Sequence, residues 1–395
     1  MKRLRYYLPR VLLSGLVFAS VLALPEVAAR LAYRARHGEW PVSLATVVTR
    51  SKAEVTTLFA EHSILPFVLR PGARVSFMDT FVEVNSAGFR GGELRSATPL
   101  RILVVGGSTT FDTGVRDNSR TWPHQLEERL GESLKGTEVI NGGVPVYMLW
   151  TNYLKYVLYD RYARPDVVLI YQGLNDTVPW WPSAFDEMLR TDYWLFRGAE
   201  ARSWSGLMGE RKLAQDPLLP GIFARSVFLR GAYNERGANE NVFANMRRAR
   251  SVDECMPDAL LDRNVDMLGY FVDAIRADGA LPVLVPQTIG SPGRKQVSGE
   301  DFGVFVGGLR KLNARYVRHA RDAGVPVIDV TGVADAWGDD HFKDLLHFND
   351  AGSSELATLV ARRLLADERV VALHASHRDR TAMPTRTGDA VSGGR

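Results

Sequence analysis

The chain has 395 residues, of which 46% are hydrophobic and 24% charged, a composition typical of a globular protein and not of a disordered one. The formal net charge is +4, but residues 1–36 contribute +6 and residues 374–395 contribute +2, so the body between them is slightly acidic, which argues against a nucleic-acid partner. The single cysteine, Cys255, excludes an internal disulfide. No His, Cys and carboxylate cluster has metal-ligand spacing, so neither a metal nor another cofactor is expected.

Residues 1–36 have the pattern of a targeting segment. The basic stretch MKRLRYYLPR is followed by an uncharged apolar run, Val11 to Leu24. That run is shorter than the ~20 residues of a membrane-spanning helix, and Val27 and Ala29 could precede a cleavage site. We expect a single-pass membrane anchor with an extracytoplasmic domain, with secretion after signal cleavage as the alternative.

Residues 37–99 are predicted to form a connector and then a small β preface. Polar and apolar residues alternate from Ile64 to Leu94, around the turn sequences Pro71-Gly72 and Asn85-Ser86-Ala87-Gly88. This pattern predicts one or two β-hairpins.

Residues 100–373 alternate between short apolar runs and segments with helical spacing. The runs lack strict alternation, as is typical of strands that helices cover on both faces. We therefore predict a three-layer α/β/α domain around a central, mostly parallel five-stranded sheet. The five predicted strands are RILVVGG (101–107), EVINGGV (138–144), PDVVLIYQG (165–173), LPVLVPQT (281–288) and VPVIDV (325–330).

Two segments do not follow this alternation. Residues 177–256 are predicted to be an insertion that forms a lid or a substrate wall, or that packs its tryptophans in a core of its own. Trp180 and Trp181 are its candidate substrate-binding residues. The last segment, 374–395, has little apolar content and is predicted to be disordered.

The first three predicted strands end in glycine-containing corners: Gly106-Gly107-Ser108, Asn141-Gly142-Gly143 and Gly173-Leu174-Asn175-Asp176. The carboxyl ends of parallel strands share one edge of a sheet, where ligands bind. The first corner lacks the lysine of a P-loop, the third glycine of a dinucleotide fingerprint and the second glycine of a nucleophile elbow. By itself it fits an ordinary turn as well as a nucleophile.

Asp344 and His347 follow the fifth predicted strand. Their spacing of three places both side chains on one face of a helical turn, where a carboxylate can orient one imidazole nitrogen while the other faces a partner. Asp340-His341 is a competing pair, but adjacent residues lack that geometry. A serine, a histidine and an aspartate are thus all available near strand ends.

These motifs resemble those of the SGNH, or GDSL-type, serine hydrolase family. Four blocks occur in the family's order, and Gly107 departs from the pattern because the family usually has aspartate there. We interpret that departure as the mark of a subgroup. The blocks are Gly107-Ser108-Thr109, Gly143, Gly173-Leu174-Asn175-Asp176 and Asp344-Leu345-Leu346-His347.

The resemblance implies a flavodoxin-like SGNH fold and a set of roles. Ser108 would be the nucleophile, His347 the general base and Asp344 its orienting carboxylate. The oxyanion hole would consist of the backbone N–H groups of Ser108 and Gly143 and the side-chain amide of Asn175. Such an enzyme would be a carboxylesterase or acetylesterase that removes acyl groups from a cell-envelope glycan or a small ester.

Three alternatives remain at this point. The same triad could serve a lysophospholipase or lipase with an acylated lipid substrate, or an O-acetyltransferase. A non-catalytic envelope binding module is the third, although such a module has no need of all the catalytic residue types.

Overall fold

The computed structural model describes residues 57–177, 251–290 and 299–382, apart from 61, 78, 79, 335 and 345, together with residues 27, 31, 34 and 35. The chain divides into two compact units, and the one that contains residues 57–187 and 246–395 is described below. The other, residues 1–56 and 188–245, lies almost wholly outside the described residues. The described residues also exclude the apolar run Val11 to Leu24 and the two tryptophans Trp180 and Trp181. None of the described helices has the length and apolar character needed to span a bilayer.

The preface contains two short antiparallel strand pairs. Strand β1 (Phe59–Ala60) pairs with β2 (Val68–Leu69), and β3 (Arg74–Phe77) pairs with β4 (Thr80–Glu83). The chain then turns back through residues 85–88 and makes an antiparallel bridge between Arg90 and Asn141 of the main domain.

The main domain is built on a parallel sheet of four strands in the order β6-β5-β7-β8. This is the parallel, helix-flanked architecture that the alternation of apolar runs predicts. The strands are β5 (Leu100–Gly106), β6 (Thr137–Asn141), β7 (Val167–Gln172) and β8 (Leu281–Pro286).

Helices cover both faces of this sheet. Along β5, Ile102 and Val104 face one core while Leu103 and Val105 face the other, and all four are almost completely buried. This two-sided burial is the reason why the strand sequences are continuously apolar. The α-helices are α1 (Ser108–Phe111), α2 (Trp122–Ser133), α3 (Leu149–Leu158), α4 (Val252–Cys255), α5 (Asp258–Ala277), α6 (Gly299–Asp322), α7 (Thr331–Ala334), α8 (Asp350–Leu365) and α9 (Glu368–Ala382).

The fifth predicted strand, residues 325–330, makes only one parallel bridge, between Leu284 and Val327. Leu284 N–H donates to Pro326 O at 2.9 Å and Ile328 N–H donates to Leu284 O at 2.8 Å. The next ladder bonds would require N–H groups from Pro286 and Pro326, and proline has none. The expected fifth strand is therefore reduced to a single bridge.

The prediction of disorder from residue 374 is wrong for residues 374–382, which continue helix α9. His374 is 5% exposed, and its Nε2 lies 3.0 Å from the carbonyl oxygen of Lys135. The fully buried Val370 attaches the same helix to the core. Two contacts with the domain thus stabilise a helix whose sequence is mostly polar. Residues 383–395 lie outside the described part of the chain.

Candidate active site

Ser108 lies at the carboxyl edge of the sheet, directly after β5. It is the first residue of the one-turn helix α1, so its backbone N–H has no partner within that helix. No acceptor for this N–H is found elsewhere among the described residues. The side chain is half-buried, and its hydroxyl is available to a partner across the edge.

That partner is His347. Its Nε2 lies 2.9 Å from Ser108 Oγ, although 239 positions separate the two residues in the chain. Its Nδ1 lies 2.8 Å from Asp344 Oδ2. With Nδ1 protonated, the ring donates to the carboxylate and presents an unprotonated Nε2 to the serine hydroxyl.

Asp344 is held in a defined orientation by its own loop. Its Oδ1 accepts the backbone N–H groups of Leu346 and His347, both at 2.8 Å. Burial alone would raise the pKa of Asp344, but the nearby His347 and these hydrogen bonds lower it to about 2. The carboxylate is therefore ionised at neutral pH and can stabilise a positive charge on the imidazole.

The side-chain amide of Asn175 reaches the same edge from the turn that follows β7. Its Nδ2 donates to Tyr147 O at 2.9 Å, which leaves the second amide hydrogen available. A β-carbon added to Gly107 would lie 2.5 Å from this Nδ2. In this structure a side chain at position 107 would therefore require the Asn175 amide to shift.

Gly143 does not have the arrangement expected of an oxyanion donor. Its N–H already donates to Asn141 Oδ1 at 3.1 Å. A β-carbon at Gly143 would meet the backbone of Thr110 and Phe111, so the missing side chain lets this loop pack under helix α1. We correct the prediction accordingly: Gly143 is a close-packing residue whose N–H is already bound.

Val146, three residues later, has the features that Gly143 lacks. Its N–H has no hydrogen-bond acceptor among the described residues. Residues 141–147 run beside the turn that carries Ser108, residues 107–112, since Val144 N–H donates to Gly106 O at 3.1 Å and Tyr147 O lies near Gly107. Val146 also has a φ of +70°, a left-handed conformation that β-branched residues rarely adopt. The sequence contains one signal for this conformation. Pro145 precedes Val146, and Tyr147 N–H donates to Val144 O at 3.2 Å, as in a turn whose third residue has a positive φ. That position usually holds glycine, so the valine itself gives no indication.

The model of the GDSL-like lipase/acylhydrolase family matches residues 104–354, more than half of the chain. The chain belongs to this family. The assignment confirms the predicted family and the α/β fold, and it identifies this GDSL-like protein as a hydrolase that acts on esters.

Solved structures similar to this GDSL-like protein share little sequence with it. A lipase/acylhydrolase from Enterococcus faecalis is 14% identical, with 68% of this chain and 96% of that chain covered and a TM-score of 0.40. An acetylxylan esterase from Geobacillus stearothermophilus, a catalytic mutant, is 13% identical, with 69% and 97% covered and a TM-score of 0.39. An acetyl xylan esterase named AlAXEase is 12% identical, with 67% and 99% covered and a TM-score of 0.38. At these scores the likenesses identify no substrate for this chain. No relative was found among curated protein sequences.

Within the described part of this GDSL-like protein, no group of three or more His, Cys, Asp or Glu residues could hold a metal ion. Asp340 and His341, the competing pair, lie 3.0 Å apart at Oδ2 and Nδ1, and the His341 ring stacks on Trp337. This pair is thus engaged in packing, and His347 is the histidine that contacts Ser108.

Proposed function

We propose that Ser108, His347 and Asp344 form the catalytic triad of an extracytoplasmic esterase that removes acyl groups from a cell-envelope glycan or a related small ester. The observation that carries this proposal is the 2.9 Å separation between His347 Nε2 and Ser108 Oγ, with Asp344 on the other ring nitrogen. A serine hydroxyl is protonated at neutral pH and needs an adjacent base to attack an acyl carbon.

In the first half of the reaction His347 takes the Ser108 proton as Oγ attacks the ester carbonyl. The tetrahedral intermediate collapses to an acyl-serine, and the imidazolium returns the proton to the leaving alcohol. In the second half a water molecule, deprotonated by His347, attacks the acyl group and releases the carboxylic acid and Ser108. Asp344 keeps the ring in the required tautomer throughout.

The tetrahedral oxyanion requires preorganised donors. We assign this role to the backbone N–H groups of Ser108 and Val146 and the free amide hydrogen of Asn175. All three lie on loops at the carboxyl edge of the sheet, and none of the three hydrogens has an acceptor among the described residues. A donor of this kind is typically worth about 3–4 kcal/mol of barrier.

A glycan substrate is supported by two expectations from the sequence, the extracytoplasmic location and the insertion that carries Trp180 and Trp181. Aromatic faces suit stacking on sugar rings. Both tryptophans lie outside the described residues.

The test of the proposed function is Ser108→Ala. We expect the folded variant to lose hydrolysis of a short-chain aryl ester and covalent labelling by a fluorophosphonate probe, because both require the Oγ nucleophile. Parental turnover or labelling of the folded variant would refute the assignment. The unchanged melting temperature of the variant serves as the folding control.

The substrate class needs a separate comparison. We expect kcat/KM of the parent protein to be higher for an O-acetylated oligosaccharide than for a lysophospholipid. The reverse order would favour the lipase alternative. Acetyl transfer to an added sugar in preference to water would favour the transferase.

A further inference from the structure

We propose that Arg90, which belongs to the β preface, is a positioning residue that holds two segments of the main domain in place: the nucleophile turn, residues 107–112, and the oxyanion loop, residues 141–147. This inference rests on the proposed function, since it concerns the geometry of Ser108. Arg90 lies outside the four sequence blocks of the family. Its side chain contacts the end of helix α1, the helix that begins at Ser108.

The guanidinium of Arg90 binds the end of the helix that begins at Ser108. Its Nη1 donates to Phe111 O at 2.7 Å and to Asp112 O at 2.9 Å. Helix α1 has a single turn, so its last carbonyl groups have no partners within the helix. The guanidinium carbon also lies 4.7 Å from the centre of the Phe111 ring, within the range of a cation–π contact.

The turn ends in a left-handed residue that other segments of the domain also hold. Asp112 ends helix α1 with a φ of +73°, in the left-handed region that non-glycine residues rarely adopt. Its carboxylate accepts Trp122 N–H at 2.8 Å and Ser353 Oγ–H at 2.7 Å. Groups of the main domain thus hold the Asp112 side chain, while Arg90 of the preface holds its backbone carbonyl group.

Arg90 is also connected to the oxyanion loop. Its backbone forms the antiparallel bridge with Asn141. Asn141 in turn donates from Nδ2 to Phe111 O at 3.4 Å and accepts Gly143 N–H. One preface residue therefore contacts both the turn that carries Ser108 and the strand end from which the oxyanion loop starts.

The orientation of the guanidinium is determined by further partners. Nε donates to Asn118 Oδ1 at 2.8 Å and Nη2 donates to Thr80 Oγ1 at 2.9 Å. Arg90 is only 3% exposed, and burial lowers its pKa to about 10 despite the opposing effect of Asp112, so the cation persists at neutral pH. The three nitrogens of the planar guanidinium donate to four acceptors at once. The single nitrogen of a lysine ammonium cannot reach all of them.

The test compares Arg90→Lys with a matched control, Arg95→Gln, in the full-length protein. Arg95 also joins the preface to the domain, through the carbonyl groups of Gly136 and Thr137, but it does not contact the nucleophile turn. The readouts are kcat and KM for a short-chain aryl ester and the rate of fluorophosphonate labelling, each per mole of folded protein. We expect Arg90→Lys to lower kcat and labelling by roughly 10- to 100-fold, as a small misplacement of a reacting group does, with KM within about twofold. Arg95→Gln should leave both within about twofold.

A folded Arg90→Lys protein with parental kcat and labelling rate would overturn the proposal. If that variant does not fold, Thr80→Val decides the question, because it keeps the side-chain shape and removes only one acceptor of the guanidinium. We expect it to lower kcat by a few-fold at unchanged KM, and a parental kcat would overturn the proposal. Ser108→Ala separates the two hypotheses: if it retains activity the proposed function fails, whereas its loss beside unaffected Arg90 variants refutes only the role of Arg90.

Discussion

Gly107→Ala is expected to lower kcat by a factor on the order of 10² without unfolding the protein. Gly107 has a φ of −89°, so alanine causes no left-handed strain there. The new β-carbon would lie 2.5 Å from Asn175 Nδ2, which must retreat by about 0.9 Å to reach an ordinary contact of 3.4 Å. Such a shift disrupts the 2.9 Å hydrogen bond to Tyr147 O that orients the amide. Loss of one oxyanion donor costs about 3 kcal/mol, on the order of 10² in kcat.

The assay is a double-mutant cycle that combines Gly107→Ala with Asn175→Ala, measured as kcat on a short-chain aryl ester. If the methyl group acts through the Asn175 amide, it should cost little in the Asn175→Ala background. An equal loss in both backgrounds, or no loss in the parent, would refute this explanation. Gly131→Ala is the matched control, because a β-carbon at Gly131 in helix α2 meets no atom within 4 Å and should leave kcat unchanged.

Three further predictions concern single residues. Asp344→Asn should lower kcat by a factor on the order of 10⁴ at little cost in melting temperature, because the amide no longer selects the tautomer of His347. Steady-state kinetics should show this loss of kcat with KM within about twofold. A loss of kcat below tenfold would contradict the prediction. Val146→Gly should raise the free energy of unfolding by about 1 kcal/mol through relief of the left-handed conformation. It should keep kcat within about threefold because the donor is the backbone N–H, and urea unfolding together with kinetics checks both points. Burial raises the pKa of Asp112 from 3.8 to about 7, so the native state binds a proton that the unfolded state releases, and this contribution to stability is lost as the pH rises from about 4 to 7. Asp112→Asn should make a plot of melting temperature against pH shallower over that range, while Asp176, whose pKa burial also raises to about 7, keeps part of the slope. A curve parallel to that of the parent would contradict the prediction.

Several parts of the fold were accessible from local patterns. The apolar runs at β5, β6, β7 and β8 predict strands because residues on both faces are buried, and this property leaves a direct mark on sequence. The fifth run has the same pattern, but Pro286 and Pro326 remove the N–H groups that would extend its pairing. A segment rich in Val and Ile is predicted to be buried. Whether it also joins the sheet depends on backbone N–H groups at the paired positions, and proline lacks one.

The polar end of the chain shows a similar limit. Residues 374–382 have a composition typical of disorder, yet they are helical. Val370 and His374 attach the helix to the domain, and His374 does so through a carbonyl group 239 positions away. The apolar content of a segment shows how much apolar surface the segment itself can bury. It does not show which contacts the folded domain makes with that segment.

The sequence by itself determined the residue types and the order of the four blocks, and with them the family, the ester chemistry and the pairing of Asp344 with His347. That pairing is local, since a spacing of three residues brings the two side chains together. The tertiary structure decided which backbone hydrogens are free, because hydrogen-bond partners come from other segments: Asn141 occupies the N–H of Gly143, while that of Val146 stays available. It also decided that Arg90 binds the nucleophile turn, because only the folded chain brings the preface against helix α1.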